Sequence, residues 1–291
     1  MGTGQTTYPA IETKRIMTRE IITFIGGGNM AASLIGGLIA DAWPPERIHV
    51  AEPDAARREA LTARWPVDVT ADNSAAAQQA QLLVLAVKPQ VLREAAVALA
   101  PAVQRDHPLV ISIAAGVREG DIARWLGGDV AVVRTMPNTP ALVQSGATGM
   151  YANALVSAEQ RDQAETVLRA VGLTLWVDDE GLLDAVTAVS GSGPAYFFLV
   201  MEALEQAGTE LGLSAEQARL LSLQTALGAA RMAIESDEGP ALLRQRVTSP
   251  GGTTERAIAV LEDGKLRELF AAALRAARDR SAELAQVLGE Q

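Results

Sequence analysis

A polar, glycine-rich stretch in the C-terminal half carries residue types that can bind a small anion. It reads Thr248-Ser249-Pro250-Gly251-Gly252-Thr253-Thr254 and lies among segments with helical apolar spacing. Ser249 is expected to cap a helix, and Pro250 suits the first helical position, where its missing N–H costs nothing. The two glycines leave backbone N–H groups open to a carboxylate at the positive end of that helix. The pattern favours a carboxylate site over the alternative, an ordinary capped helix start.

A second glycine-rich turn lies near the other end of the chain, between a strand and a helix. A short apolar run, residues 20–25, leads into Gly26-Gly27-Gly28-Asn29-Met30-Ala31, which has the spacing G-x-G-x-x-A. In such a turn the first glycine bends the chain, the second lets a diphosphate touch the backbone, and the alanine allows close helix packing. This context predicts a dinucleotide site with the phosphates at the helix N-terminus.

Strands and helices are expected to alternate through the first half of the chain. The apolar run Leu82-Leu83-Val84-Leu85-Ala86 is apolar on both faces, as a helix-covered parallel sheet requires. We therefore predict an α/β Rossmann domain with a doubly wound, mostly parallel sheet over residues 21–179. After residues 20–25, strands are expected near residues 47–51, 67–70, 82–86, 109–113, 130–134, 147–151 and 174–177, and helices near 54–64, 74–80, 89–102, 118–126 and 157–171.

Ligands in such sheets bind at the carboxyl ends of the strands. Several small or polar turns follow the predicted strands, and each of them alone can be a simple loop. Together they indicate a cofactor cleft. The turns contain Glu52-Pro53-Asp54, Asn73, Val87-Lys88-Pro89, Ala114-Ala115-Gly116 and Met136-Pro137-Asn138-Thr139-Pro140.

Glu52 bears on the choice of cofactor. An acidic residue at the end of the second strand usually accepts hydrogen bonds from the adenosine ribose hydroxyls and repels a 2′-phosphate. Arg57 and Arg58 follow in the next helix and either counter that repulsion or form a solvated surface. NADH and NADPH both stay open, with Glu52 favouring NADH.

The second half is predicted to be an all-α domain over residues 180–291. Residues 196–201 are apolar all round, so we expect their helix to be surrounded on all sides. The long final helix suggests packing against a second subunit, and a self-sufficient bundle is the alternative. Residues 190–195 read as a glycine turn opening a helix, either as a flexible start or for close approach of a subunit or cofactor ring. The helices are expected near residues 181–189, 194–212, 214–236, 240–246, 253–262 and 265–288.

Composition excludes several classes of function. The net charge of −10 at pH 7 provides no attraction for nucleic acid or anionic membranes. The chain has no cysteine and only two histidines, so thiolate catalysis is excluded, no metal site is predicted, and a reducing, cytoplasmic location fits. Residues 1–20 are expected to be a disordered leader, and neither a signal peptide nor an apolar run of transmembrane length is predicted.

These motifs, in this order, resemble the pyrroline-5-carboxylate reductase family from about residue 21 to the C-terminus. The resemblance implies a Rossmann domain followed by a helical domain that interlocks two subunits, often assembling further into decamers. By the family pattern, the pyrophosphate is held by Gly26, Gly27, Gly28, Asn29 and Met30, the adenosine ribose by Asn73, and the rest of the cofactor by Val87, Lys88 and Ala115. The substrate carboxylate is held by Ser249, Gly251, Gly252 and Thr253, and the Thr254 hydroxyl hydrogen-bonds the substrate ring nitrogen.

The implied reaction is reduction of the cyclic imine 1-pyrroline-5-carboxylate to L-proline by NADPH or NADH, the last step of proline biosynthesis. A protonated imine is already electrophilic, so the protein has mainly to position the reactants. Thr254 is expected to orient the imine nitrogen, with the proton coming from water. Two residues depart from the family: Glu52 stands where many members have a neutral residue, and Arg246 replaces a smaller polar one.

Two other functions are alternatives to this reductase reaction. A β-hydroxyacid dehydrogenase of the 6-phosphogluconate dehydrogenase type needs a lysine in its helical domain as acid and base. The single lysine of residues 180–291, Lys265, is expected in a turn after Gly264, so this rival lacks its key residue. A non-catalytic dinucleotide sensor would not need the polar turn at residues 249–254. Both rivals are therefore disfavoured.

Overall fold

An eight-stranded sheet forms the framework of the first half of the chain. The computed structural model describes residues 20–290, so almost all of the predicted leader lies outside the described residues. The strand order is β3-β2-β1-β4-β5-β6-β7-β8. The strands are β1 (Ile22–Ile25), β2 (Ile48–Ala51), β3 (Asp68–Thr70), β4 (Leu82–Leu85), β5 (Leu109–Ser112), β6 (Val132–Met136), β7 (Gly146–Ala152) and β8 (Gly172–Trp176).

Parallel pairing confirms the predicted doubly wound topology. β1 lies between β2 and β4 and is parallel to both. The pairs β2–β3, β4–β5, β5–β6 and β7–β8 are parallel as well. The chain order reverses between β1 and β4, and this switch point is where ligands of open α/β sheets bind.

Helices cover the strands of this sheet, which explains why apolar residues dominate β1, β4 and β5. All residues of β1, β4 and β5 are buried. Asp54 and Ser157 accept a backbone N–H in the first turn of α2 and α6 respectively, so these helix starts follow the capping rule. The helices are α1 (Asn29–Ala40), α2 (Ala55–Arg64), α3 (Asn73–Ala76), α4 (Pro89–Asp106), α5 (Glu119–Trp125) and α6 (Ala158–Arg169), with 3₁₀ turns at Pro45–Arg47 and Thr139–Val143.

The rest of the described chain is helical, as predicted. Ser214 and Gln217 form a reciprocal capping box at the start of α9. The helices are α7 (Leu182–Val186), α8 (Gly193–Glu210), α9 (Ala215–Glu235), α10 (Pro240–Arg246), α11 (Thr253–Asp263) and α12 (Leu266–Gly289), with a π-helical turn at Thr187–Gly191.

Backbone proximity groups the chain into two compact units. The first holds the described residues up to Ala114 together with Glu119–Arg134 and Ala152–Val171. The second holds Ala115–Arg118, Thr135–Tyr151 and the chain from Gly172 onward. The division of the chain into domains at residues 179 and 180 stays a prediction.

Two expectations about α8 are corrected, and a third is not met within a single chain. Residues 190–195 are not a turn, because the backbone stays helical through the π-helical turn into α8. Phe197, Phe198 and Leu199 are exposed by 66%, 64% and 66%, so one chain does not surround this apolar helix. The helical run Leu182–Glu210 is also long and apolar enough, by length and composition alone, to cross a membrane. A helix built to bury its apolar side chains against another protein surface has that same composition.

Candidate active site

The glycine turn after β1 is built into the edge of the sheet. Gly26 has φ +101°, and a Cβ at this position would lie 2.8 Å from the carbonyl oxygen of Ala86. Its N–H donates to the carbonyl of Ala51 at 2.8 Å, and the N–H of Ala86 donates to Ile25 at 2.8 Å. Only glycine combines this left-handed conformation with so close an approach to the backbone, so Gly26 is required for the turn.

The next part of the turn is open. Gly28 is the N-cap of α1, no side chain caps the helix there, and its first turn has no acidic residue. A Cβ added at Gly28 would meet nothing within 4 Å. The first backbone N–H groups of the helix, including those of Asn29 and Met30, therefore face space that a diphosphate can fill, which fits a dinucleotide.

Glu52 is buried beside this turn instead of extending into solvent. Its carboxylate accepts hydrogen bonds from the N–H of Gly27 at 2.9 Å and from the N–H of Asp54 at 3.0 Å. A Cβ at Gly27 would meet Glu52 and Leu61 side-chain atoms. Glu52 thus stabilises the glycine turn by accepting the hydrogen bond from the Gly27 N–H. The sequence pattern does not indicate this structural role.

The two arginines after Glu52 differ. The Arg58 guanidinium donates to the carbonyls of Glu52 and Pro53 at 2.9 and 2.7 Å, so it closes the turn between β2 and α2. The Arg57 guanidinium lies 3.9 Å from the Glu52 carboxylate, and its side chain is 59% exposed. Arg57 is therefore the one of the two whose charge faces solvent.

The other predicted cofactor residues follow strands or helix starts. Asn73 is the first residue of α3, whose N-terminus Asp72 caps by accepting from Ser74 and Ala75. Val87 and Lys88 follow β4, and Lys88 is the N-cap of α4. Ala115 is exposed and belongs to the second compact unit. The register of β1, β2 and β4 brings the residues after them, Gly26, Glu52 and Ala86, to one edge.

The turn at residues 248–254 differs from the prediction in its helix start. α11 begins at Thr253, and Gly252 is its N-cap with no side-chain hydrogen bond, so Ser249 does not cap the helix. The N–H of Gly252 donates to the Ser249 carbonyl at 2.9 Å, and Gly251 has φ +70°. This left-handed residue adds a tight turn before the helix, and Pro250 lies in that turn.

A carboxylate already contacts the turn in this structure. The N–H of Gly251 donates to Oε2 of Glu255 at 2.7 Å. Glu255 is the third helical residue after the N-cap Gly252, the position where a glutamate commonly reaches back to the turn. Sequence reasoning missed this residue, although that spacing would have indicated it. The contact shows that the turn presents an N–H group to a carboxylate.

Around the turn, Ser249, Gly251 and Thr253 are exposed, whereas Gly252 and Thr254 are half-buried. The Thr248 hydroxyl donates to the Arg244 carbonyl at 2.6 Å, which ties the start of the turn to α10. Arg246, the residue that departs from the family, pairs with Glu238.

A cavity of about 440 Å³ lies between α10, α11 and α12. Arg244, Arg267 and Phe270 are among its lining residues, and none of the predicted site residues lines it. The side-chain hydrogen bond from Arg267 lowers the pKa of Glu262 in its wall. The predicted carboxylate site is therefore the exposed turn and not this cavity. Among the described residues no cluster of histidine and acidic side chains suits a metal ion.

A parallel sheet with an open glycine turn at its switch point is the arrangement of a dinucleotide-binding protein. A family model described as pyrroline-5-carboxylate reductase dimerisation matches residues 180–284. A second, described as NADP oxidoreductase, coenzyme F420-dependent, matches residues 21–116. The pyrroline-5-carboxylate reductase of Pseudomonas aeruginosa is 53% identical over 274 residues, which cover 94% of this chain and all of that protein.

Solved structures agree. A pyrroline-5-carboxylate reductase from Coxiella burnetii is similar with a TM-score of 0.89 and 49% identity, covering 91% of this chain and 98% of that one. The Plasmodium falciparum pyrroline carboxylate reductase with NADP bound is similar with a TM-score of 0.81 and 28% identity, covering 92% and 99%. The chain belongs to the pyrroline-5-carboxylate reductase family.

Proposed function

We propose that this chain reduces the C=N bond of 1-pyrroline-5-carboxylate to give L-proline, the last step of proline biosynthesis, with NADPH or NADH as the reductant. The observation that carries this proposal is the 53% identity to the Pseudomonas aeruginosa pyrroline-5-carboxylate reductase, which covers 94% of this chain. The turn before α11 fits the substrate carboxylate, because its Gly251 N–H donates to a carboxylate, that of Glu255 in the same chain. A substrate carboxylate at that turn would replace the carboxylate of Glu255.

The cofactor half of the site belongs to the glycine turn after β1. The open N–H groups of Gly28, Asn29 and Met30 bind the pyrophosphate, and Gly26 and Gly27 shape the backbone behind it. By the family pattern, Asn73 binds the adenosine ribose, and Val87, Lys88 and Ala115 contact the rest of the dinucleotide. The bound cofactor supplies the hydride.

The substrate half belongs to the turn before α11. Ser249, Gly251, Gly252 and Thr253 hold the carboxylate with backbone N–H and hydroxyl donors at the positive end of this eleven-residue helix. The Thr254 hydroxyl orients the ring nitrogen, and the proton on that nitrogen comes from water. Because the protonated imine is electrophilic, this orientation is the main contribution of the protein, and no metal ion takes part.

The preferred cofactor follows from Glu52 and Arg57. NADP is the cofactor named in the Plasmodium falciparum structure. In this chain the Glu52 carboxylate lies at the end of β2, where it disfavours a 2′-phosphate, and the exposed Arg57 guanidinium is 3.9 Å from it. We propose that both cofactors are used, with Glu52 shifting the preference toward NADH.

The chain is proposed to act as a homodimer in the cytoplasm, with a decamer as the larger assembly that the family pattern allows. The match of residues 180–284 to a dimerisation model and the exposed side chains of Phe197, Phe198 and Leu199 support a dimer. A second subunit covering these side chains also accounts for the apolar run Leu182–Glu210 without a membrane. The acidic net charge of −10 disfavours nucleic-acid partners.

The test is a rate measurement on the purified protein with pyrroline-5-carboxylate and each reduced cofactor. Oxidation of NADPH or NADH that depends on the imine, with L-proline as product, is the expected result. Binding of both cofactors without turnover would favour the dinucleotide sensor. Turnover of a β-hydroxyacid instead would favour the dehydrogenase rival.

A further inference from the structure

A buried ionic cluster in the second compact unit has no part in the site described so far. Asp184 of α7 has a side chain that is only 6% exposed. One carboxylate oxygen accepts from the Arg118 guanidinium at 2.7 Å, and the other accepts from the Ser281 hydroxyl of α12 at 2.8 Å. The three residues come from three separate segments, so the carboxylate joins a loop and two helices.

The loop in this cluster is the one that carries Ala115. Arg118 ends the segment Ala115–Arg118, which follows β5 and belongs to the same compact unit as α7 and α12. Val117 is fully buried within this segment, whereas Ala115 is exposed. The loop is thus fixed at its Arg118 end and presents Ala115 outward.

The C-terminal helix supports the same loop through apolar contacts. A Cβ added at Gly116 would meet Leu288 Cδ1 at 3.4 Å and Leu284 Cβ at 3.6 Å. Ser281, Leu284 and Leu288 have the spacing i, i+3, i+7, so they lie on one face of α12. One helix face therefore contacts the loop both directly at Gly116 and through Asp184 at Arg118.

The ionic contact between Arg118 and Asp184 has a free-energy cost, because it holds a carboxylate charge away from water. A buried carboxylate needs its charge partner and its hydrogen bonds, and removing one partner leaves an uncompensated charge. An apolar contact between α12 and the loop would hold the helices together equally well. The Asp184 carboxylate instead accepts from Arg118 on one side and from Ser281 on the other. Because hydrogen bonds depend on distance and angle, these two bonds fix the position and orientation of the loop relative to α12.

We propose that the Arg118–Asp184–Ser281 cluster is a positioning device that sets the backbone of Ala115 and Gly116 for the bound cofactor. This inference rests on the proposed function, in which Ala115 contacts the dinucleotide. The three residues act through the loop, so their loss should weaken cofactor binding while the turn at residues 249–254 still binds the substrate carboxylate.

The experiment uses the full-length protein and two variants, Asp184→Asn and Ser281→Ala. The dissociation constants of NADPH and NADH are measured by fluorescence titration, and KM for pyrroline-5-carboxylate is measured at saturating cofactor. We expect Asp184→Asn to weaken cofactor binding about tenfold, because a small displacement of a positioning group has effects of that order. Ser281→Ala removes one charge-assisted hydrogen bond but keeps the ion pair that ties the loop, so it should weaken cofactor binding less, about threefold. KM for the imine should change less than twofold in both.

A double variant separates positioning from folding. In Arg118→Met with Asp184→Leu, an apolar pair replaces the ionic one, and such replacements often keep or raise stability. We expect its Tm to lie near that of the wild type while cofactor binding stays weak. Recovery of both Tm and cofactor affinity would overturn the proposal, because the cluster would then only support folding.

The matched control is Arg124→Met on α5. Arg124 forms an ion pair with Asp121 that is also 2.7 Å long, but its side chain is 60% exposed. Its substitution should leave cofactor affinity unchanged.

Cofactor titration needs no turnover, so a failure of the proposed function can be told apart from a failure of this inference. A wild type that binds cofactor but does not reduce the imine would overturn the proposed function. Unchanged cofactor affinity in both Asp184→Asn and Ser281→Ala would overturn this inference.

Discussion

The two glycine-rich turns of this chain are built in opposite ways. The turn at Gly26 is locked into the sheet edge by backbone hydrogen bonds to neighbouring strands and by the buried Glu52 carboxylate. The turn at residues 248–254 is mostly exposed, and Gly251 has open space where a side chain would lie. Both turns lie at a helix start, yet only the first is enclosed by its own unit.

This difference follows from the elements that surround each turn. The strands beside Gly26 are buried on both faces, so the turn at Gly26 is held by its own unit. The helices around residues 248–254 keep large apolar side chains exposed, among them Leu242 and Val260. A surface of this kind is usually covered by another subunit. We infer that the cofactor turn is preformed, whereas the substrate turn gains its final rigidity on assembly.

The largest effect is expected from Gly26→Ala. Its φ of +101° and the 2.8 Å approach to the Ala86 carbonyl oxygen leave no room for a Cβ. We expect the free energy of unfolding to fall by about 3 kcal/mol, as for other strained or overpacked sites, and cofactor binding to be lost. Chemical denaturation and cofactor titration measure both. A Gly26→Ala protein that keeps wild-type stability would show that the turn is not locked.

Thr254→Ala addresses the substrate turn. We expect kcat to fall about tenfold or more, because the imine nitrogen loses its orienting hydroxyl, while cofactor affinity stays within twofold. Steady-state kinetics with varied imine and varied cofactor separate the two. Thr254→Ser, which retains the hydroxyl, is the matched control and should recover most of the rate. An equal loss of rate and of cofactor affinity in Thr254→Ala would remove the proposed role.

Glu52→Ser tests the link between the cofactor turn and cofactor choice. The ratio of kcat/KM for NADPH to that for NADH should rise about tenfold, because removing a negative charge near a phosphate gains about 1.4 kcal/mol or more. The N–H groups of Gly27 and Asp54 lose their acceptor, so stability should fall by about 1–2 kcal/mol. Glu52→Gln keeps an acceptor without the charge and should change the ratio with less loss of stability. An unaltered ratio in both variants would mean that the Glu52 carboxylate serves the turn alone.

The smallest effect is expected from Glu255→Ala. Its carboxylate holds the Gly251 N–H at 2.7 Å, so its removal frees a donor and also takes a favourable charge from the helix start. The helix should lose about 0.5 kcal/mol, and KM for the imine should fall by less than about threefold. Glu255→Gln serves as the control that keeps an acceptor. A rise of KM above tenfold would mean that Glu255 holds the turn in its binding shape.

The sequence predicts the sheet and most of the helices, because their signals are local. Short apolar runs predicted β1, β4 and β5. Longer segments with helical spacing predicted α9 and α12. The glycine turn at Gly26 was also predictable, since its spacing and its place between strand and helix follow from steric demands on the backbone.

Two predicted helix starts differ from the structure, one for a local reason and one beside a distant contact. Ser249 fails as a cap because Gly251 adopts a positive φ and moves the helix start to Thr253. At residues 190–195, where the backbone is helical, the Asn138 amide donates to the Ser190 carbonyl at 3.0 Å, a contact between residues 52 positions apart. No local pattern contains such information.

The buried position of Glu52 and the Asp184 cluster also depend on contacts between residues that are far apart in the sequence. Glu52 bonds to a turn 25 residues earlier, and Asp184 joins Arg118 and Ser281, which lie 66 and 97 residues from it. Residue type and spacing do not reveal these pairs in a single sequence.

The most direct test of the account is a reciprocal comparison of Gly28→Ala and Gly251→Ala. Neither Cβ would meet a neighbour within 4 Å, so both proteins should fold, with about 1 kcal/mol of strain at the positive φ of Gly251. The measurement is KM for cofactor and KM for pyrroline-5-carboxylate in each variant. We expect Gly28→Ala to raise only the cofactor KM and Gly251→Ala to raise only the imine KM, each about tenfold or more. Equal changes of both constants in both variants would contradict the division of the site between these two turns.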